Sequence, residues 1–221
     1  LNVTSEPTGF LYPFIEAEER NATALLADLA SSAQAKMAES RAMRATTIER
    51  CAGMVAEAGR AMAQCFSGGG RLFAFGNGGS STDAEGAVEL FRNPPSGLPL
   101  PALSLVDDRA VLTALANDIG FDVVFSRQII AHGHPGDIAV GFSTSGDSRN
   151  VLRALDEASK RGLLTVGLSG YQGGAMAASD ALAHCLVVCS DSVHRIQESQ
   201  DTLVLELWLA VQRFLGQEVT A

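Results

Sequence analysis

Two stretches of the chain are built to one plan, and no other feature narrows its possible folds so far. Arg71-Leu-Phe-Ala-Phe-Gly-Asn-Gly-Gly-Ser-Ser81 reads as a short apolar strand, Leu72 to Phe75, that breaks at Gly76 into a Gly/Asn/Ser turn. A helical pattern follows from about Thr82. Ile138-Ala-Val-Gly-Phe-Ser-Thr-Ser-Gly-Asp-Ser148 repeats the plan, with an apolar strand, a hydroxyl-rich turn and a helix carrying Val151, Leu152 and Leu155. Turns of this kind lie at the carboxyl ends of parallel strands, where helix N-termini aim free N–H groups and positive dipole ends at an anion. Ser143, Thr144, Ser145 and Ser148 add hydroxyl donors without adding charge. The combination suits the phosphate monoester of a small molecule. Ordinary helix capping is the competing explanation, since Ser and Asp are favoured at N-caps in any case.

Further apolar runs at 101–106, 163–168 and 184–189 read as strands beside those at 71–76 and 137–143. Helical patterns separate them, at 82–92, 108–116, 121–132, 147–161, 172–178 and 193–215. Such alternation predicts an α/β fold: three layers, α/β/α, around a mostly five-stranded parallel sheet. Residues 1 to about 11 read as a loose lead-in. Phe14–Ser40 and Thr46–Phe66 are rich in Ala, Leu, Met, Glu and Arg with no proline, which predicts two long helices. The organisation expected is therefore a helical segment over 1–66, serving oligomer packing, and one α/β domain over 67–221.

Charge removes several classes of function. The 221 residues carry a net charge of −9 and only two lysines, Lys36 and Lys160, so direct binding to nucleic acid is not expected. An anion site made of backbone dipoles and hydroxyls is compatible with that acidity. No apolar run approaches the ~20 residues of a membrane span, and the acidic N-terminal stretch lacks a signal-peptide pattern. A cytoplasmic location with no membrane partner is the expectation. Cys51, Cys65, Cys185 and Cys189 lie in apolar surroundings without zinc-finger spacing and read as free, buried thiols. A dinucleotide enzyme fits poorly, because Ser81 stands where its fingerprint needs a third glycine.

GNGGSS at 76–81, LTALANDIGFDVVFSRQI at 112–129, STSGDS at 143–148 and RIQES at 195–199, in that order, resemble a sugar isomerase (SIS) domain. More narrowly, they resemble the phosphoheptose isomerases, which interconvert sedoheptulose 7-phosphate and a heptose aldose phosphate. The bacterial DnaA initiator-associating protein is a similar, non-enzymatic relative. The resemblance implies a phosphate held by Ser143, Thr144, Ser145 and Ser148. It implies a sugar held by Asn77, Gly78 and Ser80, with Asp118 at its carbonyl end and Gln197 retained from the RIQE motif. It also implies a tetramer whose N-terminal helices pack together and whose active sites lie between subunits.

Aldose–ketose isomerisation needs a group that removes a proton beside a carbonyl and returns it to the neighbouring carbon. In the family this falls to a glutamate after the first loop and a histidine on the C-terminal helix, which also bind zinc with a second histidine and the RIQE glutamine. Here the C-terminal histidine position is Leu205, which can neither move a proton nor hold a metal. Two registers compete on the first helix. Aligning Asp83-Ala84 with the family's Asp-Ala puts the zinc histidine at Gly86 and the glutamate at Leu90; a gap in the loop puts them at Glu85 and Glu89. Those two glutamates, four apart, share one helix face. His194, at the start of the C-terminal helix, is the histidine best placed for acid–base work; His132, His134 and His184 lie elsewhere in the pattern. The expected function is thus a phosphoheptose isomerase with a divergent catalytic site, using Glu85 or Glu89, or else a phosphosugar-binding regulator without turnover. The expected cofactor is open, because the family's zinc histidines are not preserved.

Overall fold

The computed structural model describes residues 22–219. The expected lead-in and the first residues of the first expected helix lie outside that range. Contacts divide the chain at Arg41/Ala42 into two compact units. One helix, α1 (Ala22–Ser67), runs through both. It corrects the expectation of two helices. Arg41-Ala-Met-Arg-Ala45 contains no breaker, so intrinsic propensity carries the helix across the presumed gap. Residues 23–39 of α1 are exposed. The C-terminal part is not, since Cys51, Val55, Ala58, Met62 and Phe66 belong to the core of the second unit.

In that unit the order is β1 (Leu72–Gly76), α2 (Gly79–Arg92), β2 (Ala102–Ser104), α3 (Arg109–Asp118) and α4 (Val124–His132). There follow β3 (Ile138–Ser143), α5 (Arg149–Lys160), β4 (Leu164–Gly170), α6 (Gly174–Ala177), β5 (His184–Val188) and α7 (Val193–Phe214). A 3₁₀ turn over Phe121–Val123 precedes α4, where one continuous helix was expected. The five strands are ordered β2-β1-β3-β4-β5, all parallel.

Strand residues alternate between faces, so the sheet divides its apolar side chains between two cores. Leu72 and Ala74 meet α1, α2 and α7, while Phe73 and Phe75 meet α4 and α5. Phe75 packs on Phe125 with ring centroids 5.3 Å apart. This arrangement places the site. From β1 the chain turns outward to β2, then returns across to β3 on the other side. The crevice between β1 and β3, at their carboxyl ends, is the switch point where ligands bind in open α/β sheets. Gly76 lies opposite Phe142 there, so the two glycine- and serine-rich turns leave the sheet side by side.

Candidate active site at the β1/β3 switch point

The turn after β3 is cross-linked by its own hydroxyls. Ser143 Oγ donates to Ser148 Oγ at 2.9 Å, and accepts from the N–H groups of Gly146 (3.1 Å) and Ser148 (3.4 Å). Ser145 Oγ lies 3.5 Å from Ser143 Oγ and accepts from Asp147 N–H at 3.1 Å. Capping predicts that Ser148, the N-cap of α5, accepts from its own helix. It makes no such bond; Asn150 Oδ1 takes the N–H of Val151 instead, which leaves the N–H groups of Arg149 and Asn150 at the dipole end beside the hydroxyl cluster. A second turn braces this one from behind. Met176 N–H donates to Gly146 O at 2.9 Å, Gly170 N–H to Thr144 O at 3.0 Å, and Ala175 N–H to Asp147 Oδ1 at 2.8 Å. Gly146 has φ +74°, and a β-carbon there would lie 2.0 Å from Gly173 O, so no other residue fits.

The turn after β1 is barer. Ser81 Oγ and Thr82 Oγ1 each donate to a carbonyl three residues back, at 2.6 Å, and Gly78, the N-cap of α2, offers no side-chain cap. Ser80 is buried beneath it. Its neighbour is α5: Asn77 Nδ2 donates to Asn150 Oδ1 at 2.8 Å, and Asn150 Nδ2 donates to Asn77 Oδ1 at 2.9 Å. Beside this turn opens a cleft of about 360 Å³, lined by Asn77, Gly78, Ser81 and Glu85, with Arg109 and Phe121 among the residues of its far wall.

Glu85 therefore shares a cleft with the first turn. Glu89 is not among that cleft's lining; with Glu85 it lines an adjoining cleft of about 440 Å³, where it accepts from Asn93 Nδ2 at 3.0 and 3.1 Å and pairs with Arg92 at 3.8 Å. His194 is exposed on the first turn of α7. Asp118 is exposed at the end of α3, where it accepts from Asn117 Nδ2 at 2.8 Å. His134 sits at the opposite, amino ends of the strands, with Arg71 and Asp137. The four cysteines are unpaired; Cys51 is buried and the other three are half-buried.

Two participants were missed in the sequence. Asn150 is one, at 3 % exposure. Asp83 is the other: it faces α7 from α2, 8 % exposed, and accepts from Gln197 Nε2 at 3.1 Å. Burial pushes its carboxyl up to about 6, against the Gln197 hydrogen bond, and the Asp201 charge adds to the rise. Gln197 is itself held against backbone, since a β-carbon at residue 79 would lie 2.3 Å from Nε2.

The residues present do not fit the zinc that the resemblance implies. Among the described residues no group of three or more His, Cys, Asp or Glu side chains could hold a metal ion. Leu90 and Leu205 both pack on the same apolar core, and a side chain at Gly86 would meet open space.

Residues 37–170 match the family described as the SIS domain. The chain is thus a SIS-domain protein. It is 43 % identical over 182 residues to the phosphoheptose isomerase of Desulfovibrio desulfuricans, covering 81 % of this chain and 85 % of that one. Against the phosphoheptose isomerase of Roseiflexus sp. it is 40 % identical over 176 residues, covering 78 % and 87 %. The solved structure of phosphoheptose isomerase from Neisseria gonorrhoeae superposes with a TM-score of 0.77 at 34 % identity, covering 84 % of this chain and 99 % of that one. That from Francisella tularensis gives 0.77 at 30 %, covering 83 % and 97 %. Within the SIS-domain proteins, the chain belongs to the phosphoheptose isomerase family.

Proposed function

We propose that this protein interconverts sedoheptulose 7-phosphate and the corresponding heptose 7-phosphate aldose, with the phosphate in the Ser143–Ser148 turn and the sugar over the Asn77–Ser81 turn. The observation that carries the reading is the placement of both turns side by side at the switch point, joined through Asn77 and Asn150. Ser143, Thr144, Ser145 and Ser148 serve the phosphate, together with the N-terminus of α5. Gly78 lines the sugar side with Asn77, over the buried Ser80, and Asp118, exposed at the end of α3, is the contact that the family resemblance implies for the sugar's carbonyl end.

Isomerisation takes a proton from the carbon beside the carbonyl and delivers it to the carbonyl carbon, while the oxygens exchange a proton. Glu85, on the cleft wall, is the base for the carbon proton. Asp83, two residues before it, faces α7 and Gln197 instead of this cleft, and no step is assigned to it. No step is assigned to a metal, to Glu89 or to His194. Exposed apolar residues along α1 (Leu25, Leu26, Leu29, Met37, Met54) support assembly into a homotetramer. Among the described residues no helix is long and apolar enough to cross a membrane.

Incubation with sedoheptulose 7-phosphate, with and without added zinc, tests the reading through the appearance of aldose product. A second reading, a phosphosugar-binding regulator without turnover, is favoured by Leu90 and Leu205, apolar side chains half-buried against the core where the resemblance implies a glutamate and a histidine. Tight binding of the sugar phosphate with no product under either condition would establish it.

A further inference from the structure

The two ligand turns belong to different β–α units, and their spacing decides how far a bound phosphate lies from the reacting end of its sugar. Asn150 stands in the first turn of α5, on the buried face of that helix with Ala154 and Ala158. Its Oδ1 accepts from Val151 N–H at 3.0 Å as well as from Asn77 Nδ2, which ties its rotamer to the start of α5. Its Nδ2 returns the bond to Asn77. Among the described residues no other side-chain hydrogen bond joins residues 76–82 to residues 143–150.

We infer that the Asn77–Asn150 amide pair is the spacer of this site, with Asn150 a positioning residue that fixes the first turn relative to the phosphate turn. The inference rests on the proposed phosphosugar site and deepens it. Asn77 then acts on the substrate chiefly by holding Gly78 and Gly79 in place. The Ser143 cluster is cross-linked independently of the pair, so phosphate binding does not depend on it. Loss of the pair displaces the sugar end alone, and a misplacement of about 1 Å is enough to slow chemistry by roughly 100-fold.

The test compares Asn150→Ala, Asn77→Ala and the double variant in the full chain. Without ligand, amide hydrogen exchange over residues 77–82 accelerates in each single variant, while exchange over 138–143 is unchanged. With sedoheptulose 7-phosphate, kcat falls roughly 10- to 100-fold. Inhibition by inorganic phosphate changes by less than about twofold, and the double variant is no worse than the poorer single one. Asn77→Ala, at a half-buried loop position, carries the comparison should Asn150→Ala fail to fold. Unchanged exchange over 77–82, a phosphate inhibition constant rising in step with the loss of kcat, or additive single effects would each overturn the inference. A wild-type protein without turnover defeats the isomerase reading, and the exchange measurement still decides the spacer.

Discussion

The two turns at the switch point share a sequence plan and differ in how they are held. Between residues 143 and 148 the chain folds on itself: one hydroxyl, Ser143 Oγ, meets Ser148 Oγ and two backbone N–H groups, and the 170–176 turn supports the rest. Between 76 and 81 the chain has only short local bonds and leans on Asn150 from outside. A phosphate presents the same tetrahedral group in every sugar phosphate, so a rigid, self-supporting cradle suits it. The reacting end varies in length and stereochemistry, and its support is borrowed from a neighbouring helix. The contrast separates affinity from chemistry, and substitutions on the two sides are expected to fail in different ways.

The largest effect is expected beside the first turn. Glu85→Gln keeps the shape of the cleft wall and removes the base, so kcat falls by about 100-fold or more with KM little changed. Glu89→Gln, one turn further along α2, stays within about twofold of the wild type, because its carboxylate serves Asn93 and Arg92 outside the cleft. Single-turnover rates on both variants check the pair. Equal losses would erase the distinction between the two carboxylates.

Ser143→Ala strikes the other turn at its hub. Two N–H groups and one hydroxyl lose their partner at once, at a cost of roughly 2–3 kcal/mol in phosphate binding, or about 30- to 150-fold. The inhibition constant for inorganic phosphate and the KM for the sugar phosphate should rise together. A change in kcat alone would place Ser143 on the chemical side and break the comparison.

Asp83 lies under the first turn and makes a pH-dependent contribution. Its folded carboxyl titrates near 6 against an ordinary 3.8, so the folded chain binds the proton more readily than the unfolded chain across that window. Stability therefore falls as pH rises from about 4 to 6, and the buried charge remains a liability above it. Asp83→Asn keeps an acceptor for Gln197 and removes the charge. It should raise the melting temperature by a few degrees at pH 7.5, corresponding to ~1–3 kcal/mol, with the gain vanishing near pH 4. A variant that melts lower at pH 7.5 would show that Asp83 is stabilised as its anion.

Much of this architecture was legible in the residues because its signals are local. Apolar runs ending in Gly76 or Ser143 gave the strands, and the alternation with helices gave the parallel sheet. Continuity of α1 was missed although residues 41–45 are all good helix formers, because its exposed half has no apolar stripe that runs on into the buried half. Asn150 and Asp83 were passed over although each leaves a trace. Asn150 falls on the stripe of Ala154 and Ala158, and Asp83 on the stripe of Ser80, Ala84, Ala87 and Phe91. A polar residue on a helix's buried stripe needs a partner, and neither partner could be identified until the fold brought Asn77 and Gln197 alongside.

The smallest effect concerns the brace behind the phosphate turn, and its sign depends on charge. Asp147 Oδ1 accepts from Ala175 N–H at 2.8 Å, anchoring the 143–148 turn to α6. Its carboxylate also places a negative charge near the proposed phosphate, which opposes binding. Asp147→Ala removes both the anchor and the charge, so the two effects offset, and KM for the sugar phosphate should rise only about two- to fivefold. Asp147→Asn keeps the acceptor and removes the charge alone, so KM should equal or fall below the wild-type value. Repeating both measurements at high salt separates the causes: screening diminishes the benefit of Asp147→Asn and leaves the loss of the anchor in Asp147→Ala. A phosphate turn that needed no support from behind would show the two variants alike.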